Sequence, residues 1–147
     1  MEYRHTQIGV VIIVALVIPI VLVLAPILIV GTFNSIQIAT LILLAAMLAL
    51  FCSLNIEIKD NTLICRFGIG LIRKRIPLSE IQKARTVRNP LFAGWGIHYI
   101  PGHCWLWNVS GRHGVELILK DSKYFRLGTD EPEPLVHAIE TNKAMGT

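Results

Sequence analysis

The chain is poor in acidic residues and in cysteine, and long stretches of it carry no charge at all. Of 147 residues, 10 are Asp or Glu, 14 are Lys or Arg and 3 are Cys, with 53% hydrophobic residues against 16% charged. The deficit of charge is local. Ile8 to Val30 is a run of 23 uncharged residues, and Ile36 to Leu54 a second run of 19. At about 1.5 Å rise per residue the first run exceeds a hydrocarbon core about 30 Å thick, and the second falls within the sufficient range of about 17 to 25 residues. Proton relays and ion pathways need ionisable side chains inside the bilayer, where such groups are costly. Neither run has one, which argues against a transporter or channel. Gln37 and Thr40, at the start of the second run, are accounted for by an interfacial or interhelical hydrogen bond.

A secretory signal is expected to have a shorter apolar region, about 7 to 15 residues, and a small-residue cleavage site. The first run has neither feature. Gly31, Thr32, Phe33, Asn34 and Ser35 between the runs are turn formers, so residues 1–54 are expected to form an antiparallel helical hairpin with spans 8–30 and 36–54. Arg4 precedes the first span, the loop carries no Lys or Arg, and the other thirteen basic residues follow the second span. That asymmetry predicts cytoplasmic termini. With Cys52 in a span and Cys65 and Cys104 in a reducing compartment, no disulfide framework is expected, and the Asn108-Val109-Ser110 sequon is irrelevant.

Two features of the spans admit a functional and a structural reading. Pro19 and Pro26 lie seven residues apart on one side of the first helix, as a gate would need, yet proline is tolerated where neighbours satisfy the freed carbonyls. Ala39, Ala46 and Ser53, flanked by Ala45, Ala49 and Cys52, form a small-residue stripe that permits close helix approach. The first span of the same chain or a second copy would fill it, so a homo-oligomer is one expectation.

From Asn55 the hydrophobic period changes to two. Ile56 and Ile58 alternate with Glu57 and Lys59, Asp60-Asn61 makes a tight turn, and Thr62–Phe67 returns. Strands follow over 71–76, 81–87, 104–109, 114–119 and 124–127, about seven in all, with a Gly-rich, aromatic stretch at 89–102 read as loop. Asp130 with Glu133 has capping-box spacing, Pro132 suits an early helical position, and Leu135, Val136 and Ile139 supply an apolar face for one C-terminal helix. Residues 55–147 are therefore expected to form a mainly β domain, a bent antiparallel barrel closed by that helix.

The fragments IPLSEI (76–81), GWGI (94–97), WNVSG (107–111), VEL (115–117) and LGTDEPEPL (127–135) together resemble the bacterial pleckstrin-homology-like membrane proteins. The resemblance covers roughly residues 55–142, and a pair of membrane helices before the domain is similar to that family's arrangement. It implies a pleckstrin-homology-like barrel at the bacterial cytoplasmic membrane, with no activity, cofactor or site residue to carry over. Asp121-Ser122-Lys123 stands where that family more often has an Asp-Gly turn.

The net charge of +4 is carried by residues 55–147. Arg66, Arg73, Lys74, Arg75, Lys83, Arg85 and Arg88 cluster in sequence, next to the expected membrane surface, where an anionic leaflet attracts each nearby Lys or Arg by about 1 kcal/mol. They are the candidate lipid or anion site, against the alternative of a merely positive inner surface. Phe92, Trp95 and Tyr99 are candidates for docking on the bilayer, since aromatic rings with polar tips settle at the head groups. Trp105 and Trp107, on one strand face, read as core.

His98, His103, Cys104 and His113 match no zinc spacing, and adjacent residues on a strand face opposite ways. The serine-hydrolase elbow, the P-loop, the dinucleotide fingerprint and the zincin helix are all absent from the sequence. The expectation is a noncatalytic interaction or scaffold module without cofactor, self-associating or recruiting a protein or anionic lipid rather than nucleic acid. The alternatives are a metal-dependent enzyme using the loop histidines, and a regulatory subunit of a membrane complex.

Overall fold

The chain starts as a strand, leaves the domain as a helical hairpin, and returns into the same sheet. In this computed structural model, residues 2–32, 34–90, 93–101 and 104–145 are described. The loop residue Phe33, the docking candidate Phe92 and the loop residues Gly102 and His103 lie outside them. β1 (Tyr3–Ile8) leads into α1 (Val10–Val30), α2 (Ser35–Phe51) and β2 (Ser53–Lys59). β1 pairs antiparallel with β2 from Tyr3↔Ile58 to Ile8↔Ser53, so both ends of the helical hairpin meet in one sheet. Gly9 N–H donates to the Cys52 carbonyl (2.8 Å) at this junction. A side chain at Gly9 would press on Cys52 O, Phe51 O and Val109 Cβ, all within 3.2 Å.

α1 is long and apolar enough to cross a membrane; α2, at 17 residues, is equally uncharged but shorter. Neither helix buries a residue in the protein. A helix that is apolar all round needs an apolar surrounding. Both helices are shorter than their uncharged runs because Ile8, Ser53 and Leu54 already lie in paired strands. Asn34 caps α2 through a capping box with Gln37, and Thr40 Oγ1 donates to the Ile36 carbonyl. Gln37 and Thr40 thus find partners within the first turns of the helix.

The remaining elements are β3 (Thr62–Phe67), β4 (Arg73–Pro77), a 3-10 turn (Leu78–Glu80), β5 (Ile81–Arg88), β6 (Gly96–Ile100), β7 (Cys104–Asn108), β8 (His113–Leu119), β9 (Tyr124–Gly128) and α3 (Pro132–Met145). The Asp60-Asn61 turn has φ of 48° and 55°, a left-handed pair suited to short polar side chains. The strands form two sheets, in order β1-β2-β3-β4 and β5-β8-β9-β7-β6. β7 and β9 pair in parallel; every other pairing is antiparallel.

This corrects the expectation of a bent, wholly antiparallel barrel of about seven strands. Nine strands are described, in two separate sheets. β4 and β5 are consecutive, but the 3-10 turn between them carries the chain into the second sheet. Side chains, not strand pairing, link β1 to that sheet: Gln7 Nε2 donates to the Ser110 carbonyl (3.1 Å), and His5 Nε2 lies 2.6 Å from Asp130 Oδ1. Asp130, expected as a helix cap, serves this link instead, and Thr129 Oγ1 accepts from Glu131 N–H before α3.

The core lies between the inner faces of the sheets, from Leu54, Ile56 and Leu63 to Leu117 and Leu127, with Leu135 and Ile139 of α3 covering it. An aromatic chain joins it to the helical hairpin. Phe51 at the end of α2 meets Phe67 (5.5 Å between ring centres), Phe67 meets Trp107 (5.1 Å), and Trp107 meets Phe125 (5.7 Å). Such pairs add about 0.5 to 1.5 kcal/mol each beyond their burial. Trp107 is core as expected, whereas Trp105 is 50% exposed and stacks edge-on with Tyr99.

Candidate functional site

Residues that alternate along the first sheet put Arg4, Thr6 and Ile8 on its outer face, with Asn55 and Glu57 on β2, Arg66 on β3, and Arg73 and Arg75 on β4. Cross-strand pairing then arranges them in rows. Thr6, Asn55, Arg66 and Arg73 form one row; Arg4, Glu57, Ile64 and Arg75 form the next, farther from the helices. Arg4, Asn55, Arg66 and Arg73 line a cleft of about 360 Å³ with Gly68, Ile69 and Gly70. Asn55 Nδ2 donates to Thr6 Oγ1 (2.7 Å), which fixes the cleft floor.

Among the described residues paired in these strands, the carboxylate on this face is Glu57, whose Oε2 accepts from Arg66 Nη2 at 3.0 Å. Among the described residues Arg4, Arg73 and Arg75 have no ion-pair partner. Guanidinium groups converging with one counter-charge leave a positive cleft that suits the oxygens of a phosphate.

The cleft is bonded to the base of the helical hairpin. α2 ends with unpaired carbonyls in its last turn, as every helix does. Ile69 N–H donates to the Ala49 carbonyl (3.2 Å) and Gly68 N–H to the Ser53 carbonyl (2.8 Å). Gly68 has φ of 44°, and a Cβ there would lie 2.0 Å from Ala49 O, so only glycine lets the β3–β4 turn sit this close to the helix end.

The seven basic residues clustered in sequence separate in space. Arg66 and Arg73 line the cleft and Arg75 lies one row away. Lys74 points to the inner side, where its ammonium sits 4.5 Å from the centre of the Phe125 ring. On β5, Arg85 is committed to Glu116, and Lys83 is exposed on the second sheet. Arg88 lines a different cleft, shared with His113, Asp130 and Glu133. Arg4 joins the site although it lies 62 positions before Arg66 in sequence; no sequence signal short of recognising β1 would have found it.

On the outer face of the second sheet, Arg85, Glu116, Arg126 and Leu106 form a row across β5, β8, β9 and β7. Glu116 is 2% exposed; Arg85 Nε and Arg126 Nε each donate to it at 2.7 Å. Burial pushes its pKa up, but the hydrogen bonds and charges of the two arginines outweigh that and hold the carboxyl below its ordinary range. On β1, burial and then the carboxylates of Glu131 and Asp130 push the Tyr3 phenol up to about 12. Burial likewise pushes the Cys65 thiol up to about 12, only partly offset by Lys74, so it is no nucleophile at neutral pH.

Of the docking aromatics, Trp95 lies at the hairpin base. It lines an apolar groove of about 430 Å³ with Ile12 and Leu16 of α1, Met47 and Phe51 of α2, and Ile97. Tyr99 lies farther along β6, against Trp105. His98 contacts the Trp95 carbonyl, and His113 lies on another strand; among the described residues no three His, Cys, Asp or Glu are grouped to hold a metal ion.

Comparison of the chain with protein-family models and with curated proteins finds no match to either.

Proposed function

We propose that the chain is a noncatalytic, membrane-anchored module whose domain engages anionic lipid at the cytoplasmic surface through the arginine cleft of the first sheet. The observation that carries this is the cleft's attachment: Arg4, Arg66 and Arg73 surround a turn whose backbone is hydrogen-bonded to the last turn of α2. Both helices cross in this reading. α2 spans about 25 Å, short of a full core by an amount that its flanking residues and slight bilayer thinning absorb. Pairing of β1 with β2 argues against a cleaved signal, because cleavage after α1 would remove a strand of the sheet. Basic residues on both flanks of the hairpin and none in its loop favour the cytoplasm for the domain. The fragments that resemble the bacterial pleckstrin-homology-like membrane proteins fit this reading of the domain, and a protein partner or second copy remains an alternative occupant of its surfaces.

The test is lipid retention. Full-length protein in nanodiscs of mixed phosphatidylcholine and phosphatidylglycerol is extracted and its bound lipids identified by native mass spectrometry. Preferential retention of phosphatidylglycerol that is lost in Arg66→Ala/Arg73→Ala supports the proposal. Equal retention of both lipids, or retention unchanged in the variant, overturns it.

A further inference from the structure

The turn that carries the cleft also exposes apolar side chains. Ile69 is 68% and Leu71 74% exposed, and Ile8, at the top of β1 on the same face, is 60% exposed. Ile72, between Leu71 and the basic strand, turns the other way and packs on the core. The turn is held rigidly: Phe67 N–H donates to the Ile72 carbonyl (2.9 Å) and Gly70 N–H to the Phe67 carbonyl (2.7 Å). Two large aliphatic side chains are therefore fixed outward at positions where a turn ordinarily carries polar residues.

Their depth follows from the hydrogen bond to Ala49, which sets Ile69 level with the last turn of α2. Down the same sheet face, the apolar rim of Ile8, Ile69 and Leu71 gives way to the row of Arg66 and Arg73, then to Arg4 and Arg75. This order matches one leaflet read from acyl chains to head groups, and a water-soluble protein partner would not require it. We propose that Ile8, Ile69 and Leu71 enter the acyl-chain edge of the adjacent leaflet, as a membrane contact additional to the helices. It rests on the reading that α1 and α2 cross.

The experiment places a nitrobenzoxadiazole label at Leu71→Cys in full-length protein carrying Cys52→Ser; Cys65 and Cys104 are buried. Labels at Val21→Cys in α1 and at Lys120→Cys, on the exposed turn after β8, are the controls. Each protein is reconstituted into phosphatidylcholine and phosphatidylglycerol vesicles containing lipid with a shallow or a deep doxyl quencher. The proposal expects blue-shifted emission at Leu71 and its loss with the shallow quencher, loss at Val21 with the deep one, and neither at Lys120. If Leu71 matches Lys120 while Val21 is quenched, the rim alone fails. Blue-shifted emission at Leu71 that no lipid quencher reduces means a protein surface covers it, which also overturns the rim. If Val21 is not quenched, the crossing helices and the rim fail together.

Discussion

The outer faces of the two sheets both carry arginines in cross-strand rows, yet they use them in opposite ways. On the second sheet, Arg85 and Arg126 converge on one buried carboxylate, Glu116, which offsets one of their two charges and holds both guanidinium groups against the strands. On the first, four arginines share one acid, Glu57, and face outward beside the helix ends. Density of basic residues along a sequence therefore says little about available positive charge. What matters is which strand face they occupy and whether an acid lies in the same row.

The largest expected effect comes from breaking the committed side of this comparison. Glu116→Gln leaves Arg126, itself nearly buried, without its counter-charge, and removal of one member of a buried pair costs about 3 to 5 kcal/mol. A marked drop in unfolding temperature in detergent, with no change in lipid selectivity, is the expected result. The pH dependence has a definite sign. The folded pKa of Glu116 is depressed, so its contribution is present above the unfolded value of about 4.3 and is lost as pH falls through the folded one. Unfolding temperature measured from neutral pH downward is expected to fall more in the native protein than in Glu116→Gln.

Next in size is the available side. At about 1 kcal/mol per arginine, Arg66→Ala/Arg73→Ala weakens anionic lipid binding by about 2 kcal/mol, roughly thirtyfold. Lys83→Ala, on the second sheet, is expected to leave it unchanged; equal losses in the two variants would erase the distinction between the faces. Smaller is Gly68→Ala, which forces the turn off Ala49 and strains a left-handed position. Destabilisation of at least about 1 kcal/mol, with faster proteolysis at residues 68–72, is expected. Smallest is Trp105→Ala, which removes an exposed edge-on contact with Tyr99 and costs about 1 kcal/mol or less by thermal unfolding.

Much of the architecture was legible because it rests on period and turn chemistry. The Asp60-Asn61 hairpin, β3, β5, β8 and α3 follow from alternation and from residues suited to their turns. β1 was not legible: its inward residues are Tyr3, His5 and Gln7, so it lacks an alternating apolar signal, and it abuts an apolar helix. Missing β1 also hid the place of Arg4 in the cleft. β6 was concealed by the glycines around it, and among the described strands it lies at the sheet edge, paired with β7. Arg66 and Arg73 were visible as candidates, but the separation of Lys74, Arg85 and Arg88 from them depends on tertiary pairing. Ile69 read as an ordinary turn residue and Leu71 as the first residue of a strand over 71–76, because exposure is not written in a sequence window.

The pairing of β1 with β2 has a consequence for how such a molecule is made. β1 leaves the ribosome before either helix and has no sheet to join until β2 is synthesised. If both helices cross, the strand meets its partner only after the hairpin has entered the bilayer and come back. Failed insertion of α2 would strand β1 on the opposite side and leave β2 with an unpaired edge, a template for aggregation. Completion of the first sheet would then act as a checkpoint on membrane insertion, with the β domain withheld from its final form until the anchor is correctly threaded.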